Sequence, residues 1–355
     1  MTAGLLVQYG HMEPDKLFKY AIDKNASDLH LLVGYKPVLR ISGKLYDLEK
    51  EAVVTEEMME KFVAGIISED QVRRFRAEKE LDVAYALDHT RFRINLHWER
   101  GYMGMAARTI PQDIPTMDQL GIPEVVREFT DLSNGLVLVT GPTGAGKSTT
   151  LASMIEYINQ SRRENIITLE DPVEFVYAPK RSIIRQRQLE VDMVTFAQGL
   201  KHLLRQDPNV VLVGEMRDLE TIATTLTMAE TGHLVFATLH TNSAPQTISR
   251  LVDVFPPHQQ TQIRLQLALT LRGVVSQQLL PRLDGGLVPA REILVNTPAI
   301  ANLVRENKVE QIKNVLQTSV KFGMQTLEQD LRRLVKEGAI SEETEKMYST
   351  RGVDI

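Results

Sequence analysis

Cysteine is absent from the 355-residue chain. That excludes disulfides, thiolate zinc sites and cysteine nucleophiles, and it suits a reducing compartment. No apolar run approaches the roughly 20 residues needed to cross a bilayer, so no membrane span is expected. The opening stretch MTAGLLVQYGHMEPD has a short apolar patch without a basic flank or cleavage site, and is not read as a signal peptide. Positive charge is also scarce: 41 Lys and Arg face 46 Asp and Glu, a net charge of −5. No overall positive field is available to gather nucleic acid, and none is expected as a partner. Internal repeats and low-complexity tracts are missing too. What remains is an ordinary globular composition, 43% apolar and 25% charged, on a chain long enough for two domains with a core each.

The most informative stretch is LVLVTGPTGAGKSTT, residues 136–150. Four apolar residues after the turn pair Asn134-Gly135 predict a buried parallel strand. Gly141, Thr143, Gly144, Ala145, Gly146, Lys147, Ser148 and Thr149 then form a full G-x-x-x-x-G-K-[ST] phosphate loop. Average residue usage would produce that pattern by chance in roughly one chain of this length in a hundred. Leu151, Met154, Ile155 and Ile158 follow at helical spacing. Strand, glycine loop and helix together aim free backbone N–H groups and a helix N-terminus at an anion. Lys147 would reach the β- and γ-phosphates of ATP, and the Ser148 hydroxyl would ligate Mg²⁺.

From Leu136 onward strands and helices alternate as in a doubly wound parallel sheet, where ligands collect at the carboxyl ends of strands. Three further strand ends carry usable groups. The strand 166–169 runs into Glu170-Asp171-Pro172-Val173-Glu174, whose three carboxylates repel one another unless a cation sits among them. The strand 210–213 ends in Gly214-Glu215-Met216-Arg217-Asp218, a Walker B arrangement with Glu215 in the acidic place. Asp207 lies at the start of that strand, the wrong end for the metal. The strand after Thr231-Gly232-His233 ends in His240, where an imidazole could sense the γ-phosphate or hold the attacking water. The bland reading of each, a solvated acidic turn or a structural histidine, weakens beside a phosphate loop.

The first segment predicts a small α+β domain with an antiparallel sheet. A helix starts near Pro14-Asp15, and strands cover 27–32 and 37–41 with a turn at Ser42-Gly43-Lys44. Thr55 caps a helix over 56–67 and Ser68 one over 69–80. Strands over 81–87, 91–98 and 102–110 follow. In 91–98 Phe92, Ile94, Leu96 and Trp98 point one way and Arg91, Arg93, Asn95 and His97 the other. The polar face reads equally as a solvated face or as arginines reaching a nucleotide on a neighbouring subunit, and Arg108 could present its charge alongside. Domains are placed at 1–112 and 121–355, joined by a proline-marked linker over 113–120 that continues from Pro111-Gln112. A hairpin (273–280 and 287–295) and helices from about 298 close the chain, with no catalytic grouping among them.

In order, GPTGAGKSTT, ITLEDPVEFV, DPNVVLVGEMRDLET and AETGHLVFATLHTNSA resemble the four motifs of the secretion and type IV pilus ATPases. ASDLHL, RFRIN and ARTIP match that family's N-terminal domain, and SRLVDVFPPHQQTQIR and SQQLLP fit its later part. The short chain without cysteine is most similar to the pilus-retraction branch. The resemblance implies an α/β fold with a PAS-like N-terminal domain and a RecA-like ATPase domain. It also implies a homohexamer, cytoplasmic and peripheral at the inner membrane. Such a ring would act through a membrane platform protein on pilin. By motif match Glu215 would act on Mg²⁺ directly or through water, and Glu174 would polarise the lytic water. His233 and His240 would respond to the phosphates, and Arg93 and Arg108 would act across the subunit boundary. Two departures stand out. The family's AIRNLIRE reads Ala299-Ile300-Ala301-Asn302-Leu303-Val304-Arg305-Glu306, and its QREVG reads Gln186-Arg187-Gln188-Leu189-Glu190. The first is linked to pilus disassembly and leaves open an accessory paralogue of a retraction motor.

Overall fold

The computed structural model describes residues 13–41, 43–88, 90–110 and 113–350. The N-terminal stretch 1–12, Ser42 of the first hairpin turn, and Pro111-Gln112 at the linker lie outside the described residues. The chain divides into two compact units, 1–113 and 114–355.

In the first unit, helix α1 (Pro14–Asp23) precedes strands β1 (Asp28–Leu32), β2 (Val38–Ile41) and β3 (Lys44–Asp47). Helices α2 (Glu56–Ile66) and α3 (Glu69–Glu78) follow, then β4 (Glu80–Leu87), β5 (Thr90–Glu99) and β6 (Tyr102–Ile110). The six strands form one antiparallel sheet in the order β3-β2-β1-β6-β5-β4. Ser68 and Gln71 close a reciprocal capping box at the start of α3. That helix stops two residues before the expected Glu80, because Lys79 turns left-handed (φ 68°) and Glu80 already belongs to β4. Phe92, Ile94 and Leu96 are fully buried while Arg93 is exposed, so the alternation in β5 sorts core from surface. The core is aromatic, with Phe18 against Phe92 at 4.6 Å and against Phe62 at 5.9 Å. Each such ring contributes about 1.5–3 kcal/mol by leaving water.

The second unit begins with α4 (Glu124–Glu128), β7 (Gly135–Thr140), α5 (Lys147–Ser161), β8 (Asn165–Glu170) and β9 (Ile183–Gln188). It continues through α6 (Phe196–Leu203), β10 (Val210–Val213), α7 (Leu219–Glu230), β11 (Leu234–Leu239), α8 (Ala244–Asp253) and α9 (Pro257–Thr270). The hairpin β12 (Leu271–Pro281) and β13 (Leu287–Val295) is followed by α10 (Pro298–Arg305), α11 (Ile312–Thr318), α12 (Leu327–Lys336) and α13 (Glu342–Thr350). One seven-stranded sheet runs β13-β12-β7-β11-β10-β8-β9, parallel throughout except for β13. The hairpin is thus part of the main sheet, with β12 directly beside β7. All six residues of β7 are buried. Leu136 and Leu138 join the core under α6 to α10, while Val137 and Val139 join the core under α4 and α5. Helices therefore cover both faces, and only the strand ends are left for chemistry. No helix among the described residues is long and apolar enough to cross a membrane.

Candidate nucleotide site

Register decides what meets at the carboxyl edge. Thr140 at the end of β7 lies beside Leu239 of β11 and Ser276 of β12, and Val213 of β10 lies between Leu169 and Ala237. The segments leaving β7, β8, β10 and β11 therefore emerge side by side.

After Thr140 the chain turns through Gly141, Gly144 and Gly146, at φ 141°, 80° and 81°. A side chain at Gly141 would also collide with the Gln277 carbonyl oxygen. No side chain caps the N-terminus of the 15-residue helix α5, so its first N–H groups stay available for an anion. Lys147 folds back over the loop, its Nζ donating to the carbonyls of Gly141 (2.8 Å) and Pro142 (3.0 Å). Burial holds this ammonium below its ordinary range, and the negative charges of Glu215 and Glu174 oppose that shift without cancelling it. Thr143 and Gly144 are exposed at the lip, and Ser148 and Thr149 are half-buried in the first turn of α5.

Glu215 follows β10 and is engaged on both oxygens. Arg217 Nη2 lies 2.8 Å from Oε2, and His240 Nε2 lies 3.3 Å from Oε1. Desolvation pushes the Glu215 carboxyl up, but Arg217 and His240 outweigh it, and the net shift is downward. Lys147, Glu174, Glu215 and His240 are thus brought into electrostatic contact from four strand ends. Glu174 is exposed, and its backbone N–H faces Glu170 Oε2 at 3.4 Å. Glu170 itself is buried and accepts from Thr168 Oγ1 (2.6 Å) and Gln186 Nε2 (3.1 Å). Burial raises its pKa. It shapes the acidic turn, whose other two carboxylates, Asp171 and Glu174, are open to solvent.

Three of the expected residues are not among these strand ends. His233 sits before β11, where its carbonyl accepts from the Gly135 N–H at 3.0 Å. A strand of this length puts about 20 Å between it and the phosphate loop of its own chain. Its Nδ1 lies 3.0 Å from the Met228 carbonyl oxygen. Arg93 and Arg108 belong to the first unit, opposite one another on β5 and β6. Arg108 Nε donates to the buried Asp28 Oδ1 at 2.9 Å, whereas exposed Arg93 has no side-chain partner among the described residues.

Three contributors carry no separate role in the sequence reading: Arg217 on Glu215, Glu170 (read there only as one of three carboxylates around a cation) under Glu174, and Gln277 against the phosphate loop. The first two stand in the quoted motifs, but their partners are set by tertiary contact. The hairpin, expected to carry no catalytic grouping, brings Gln277 to the loop because β12 pairs with β7.

The donors suit Mg²⁺ held by a nucleotide. A serine hydroxyl at a helix start and one or two carboxylates, all hard oxygens, stand within the field of Lys147, and this ion usually combines few protein oxygens with phosphates and water. Among the described residues no group of three or more His, Asp or Glu could hold a metal alone.

A glycine loop between a buried strand and an uncapped helix, with lysine and acidic strand ends converging on it, defines a P-loop nucleotide-binding protein. The chain belongs to the Type II/IV secretion system protein family, whose profile matches residues 14–352. The type IV pilus retraction ATPase PilT of Pseudomonas aeruginosa is 43% identical over 333 residues, covering 94% of this chain and 96% of its own. The type IV pilus ATPase PilU of the same organism is 36% identical over 346 residues, covering 97% and 90%. A crystal structure of the pilus retraction motor PilT with bound ADP matches with a TM-score of 0.89 at 44% identity, covering 94% of this chain and 96% of that one.

Proposed function

We propose that the protein is an ATP-hydrolysing motor of the pilus-retraction type. The carrying observation is the convergence of Lys147, Glu215 and His240 at adjoining strand ends. In this reading the loop N–H groups and Lys147 bind the triphosphate, and Ser148 and Glu215 hold Mg²⁺, Glu215 directly or through water. The ion would neutralise charge on the phosphates. Glu174, exposed in its turn and acting electrostatically on Lys147, orients the attacking water and accepts its proton. His240, in contact with Glu215, would register the γ-phosphate. His233 is remote within one chain, so any response to phosphates would pass through β11 or involve a second subunit. Arg93 and Arg108 would reach a neighbour's nucleotide in a homohexamer, making ring motion a gate on hydrolysis. The two units are read as PAS-like and RecA-like. The ring would sit in the cytoplasm at the inner membrane and act on pilin through a platform protein.

Steady-state turnover tests this. Glu215→Gln is expected to lower kcat by about 10²–10³-fold with nucleotide binding kept. Wild-type turnover no higher than that variant's would refute a motor. A second reading, an accessory paralogue that docks on a true motor, is favoured by Ala301, half-buried on α10 where retraction members carry arginine. Loss of the gene tells the two apart: a motor's absence leaves unretracted pili whatever paralogues remain.

A further inference from the structure

Gln277 is 2% exposed and touches the phosphate loop at both its ends. Its main-chain carbonyl oxygen closes the space beside Gly141, and its side-chain amide nitrogen lies 3.2 Å from where a Cβ on Gly146 would stand. Nε2 donates to the Ala145 carbonyl at 2.6 Å, and Oε1 accepts from the Thr150 hydroxyl at 3.0 Å. The orientation of the amide is determined by chemistry. A carbonyl can only accept, so nitrogen must face Ala145, which leaves oxygen facing the hydroxyl.

We propose that Gln277 is a positioning residue for nucleotide binding, holding the phosphate loop in the form that presents its N–H groups to the phosphates. The inference rests on the reading of that loop as the triphosphate seat and deepens it. The physical link is the peptide plane between Ala145 and Gly146. In a trans peptide the C=O and the following N–H point in opposite directions. Tying the Ala145 oxygen to Gln277 therefore turns the Gly146 N–H away from β12. The loop has little else to define that plane. Its internal bonds are Ala145 N–H to the Pro142 carbonyl (3.1 Å) and the Lys147 ammonium on Gly141 and Pro142. A phosphate must take Lys147 off those carbonyls, whereas the Gln277 bond to the Ala145 oxygen survives the exchange, as do the backbone bonds from Ala145 N–H to Pro142 and from Thr150 N–H to Gly146. Thr150, one turn into α5, keeps the amide from rotating.

The test uses the full-length protein with MgADP affinity, the KM and kcat for MgATP, and melting temperature. Gln277→Leu keeps volume and removes both bonds. It is expected to weaken MgADP binding and raise KM about tenfold, with kcat moving less than about threefold. Thr150→Val should cost about threefold, Thr150→Ser nothing, and the double variant no more than Gln277→Leu alone. If Gln277→Leu binds MgADP within about twofold of wild type while Lys147→Ala does not bind, the inference is wrong and the loop assignment stands. If Lys147→Ala also binds normally, the assignment itself fails. Should Gln277→Leu not fold, Gln277→Glu decides. Its buried carboxyl can donate to Ala145 only when protonated, so affinity relative to wild type should fall as pH rises, and a flat ratio refutes the proposal.

Discussion

The two sheets treat charge in opposite ways. In the antiparallel sheet of the first unit, charged residues lie along strand faces and find partners across neighbouring strands. Asp28 on β1 is held by Arg108 at 2.9 Å and by Arg40 at 3.5 Å. In the parallel sheet of the second unit the faces are sealed by helices, and charge gathers at one edge. Strands that all run the same way end on the same side, so residues as distant as Lys147, Glu174, Glu215 and His240 become neighbours. An antiparallel sheet sends alternate strand ends to opposite edges and has no comparable meeting place. The lesson is that strand direction, before any particular side chain, decides which unit can assemble a multi-residue site.

Replacing Lys147 should break the edge most severely. Lys147→Ala removes the cation that, on the proposed reading, faces both the substrate and the charge developing on it, and at least about 10⁴-fold should be lost from kcat/KM. A smaller loss would mean that the strand ends do not act as one site.

The arginines offer the sharper contrast. Arg93→Ala is expected to cost about 10³-fold in kcat with an unchanged melting temperature, since no partner among the described residues is left behind. Arg108→Ala should also lower stability, because it strips Asp28 of one of its two cations. Mixing Arg93→Ala chains with Glu174→Gln chains should restore turnover at boundaries that combine an intact arginine with an intact glutamate. No recovery in the mixed ring would return Arg93 to a solvated strand face.

The smallest effect concerns a buried carboxyl that, unlike Asp28, has no ion pair among the described residues. Glu292 on β13 accepts the Ala244 N–H at 2.7 Å. Burial pushes its pKa from 4.5 up to about 7, with Glu328 adding to the rise and Lys313 opposing it. Stability tied to the protonated form is fully present below the unfolded value and is lost as pH rises through the folded one. Glu292→Gln keeps an acceptor and cannot ionise. It should raise the melting temperature by roughly 5 °C at pH 8 and hardly at all at pH 4.

In the first unit β5 and the starts of α2 and α3 were legible, because alternation in 91–98 and the caps at Thr55 and Ser68 are local signals, whereas β3 was not read as a strand. The end of α3 was less so, since the left-handed turn at Lys79 has no glycine to announce it. Glu190 is similar: it adopts φ 63° where the family pattern has glycine, a strain visible only in the fold. At the site, the loop and Glu215 could be recognised from spacing. The partners of Glu215, the burial of Glu170 and the reach of Gln277 could not, because each depends on residues far away in sequence.

The order of residues alone determined that this chain carries a phosphate loop, an acidic strand end after it and a histidine after that, because such signals are contiguous and backbone geometry follows from them. Tertiary structure decided which of these groups share an edge, which arginine is tethered and which has no partner among the described residues, and that a hairpin glutamine braces the loop. Those outcomes come from strand order and register, which bring together side chains more than 100 residues apart, as Gln277 and Ala145 are.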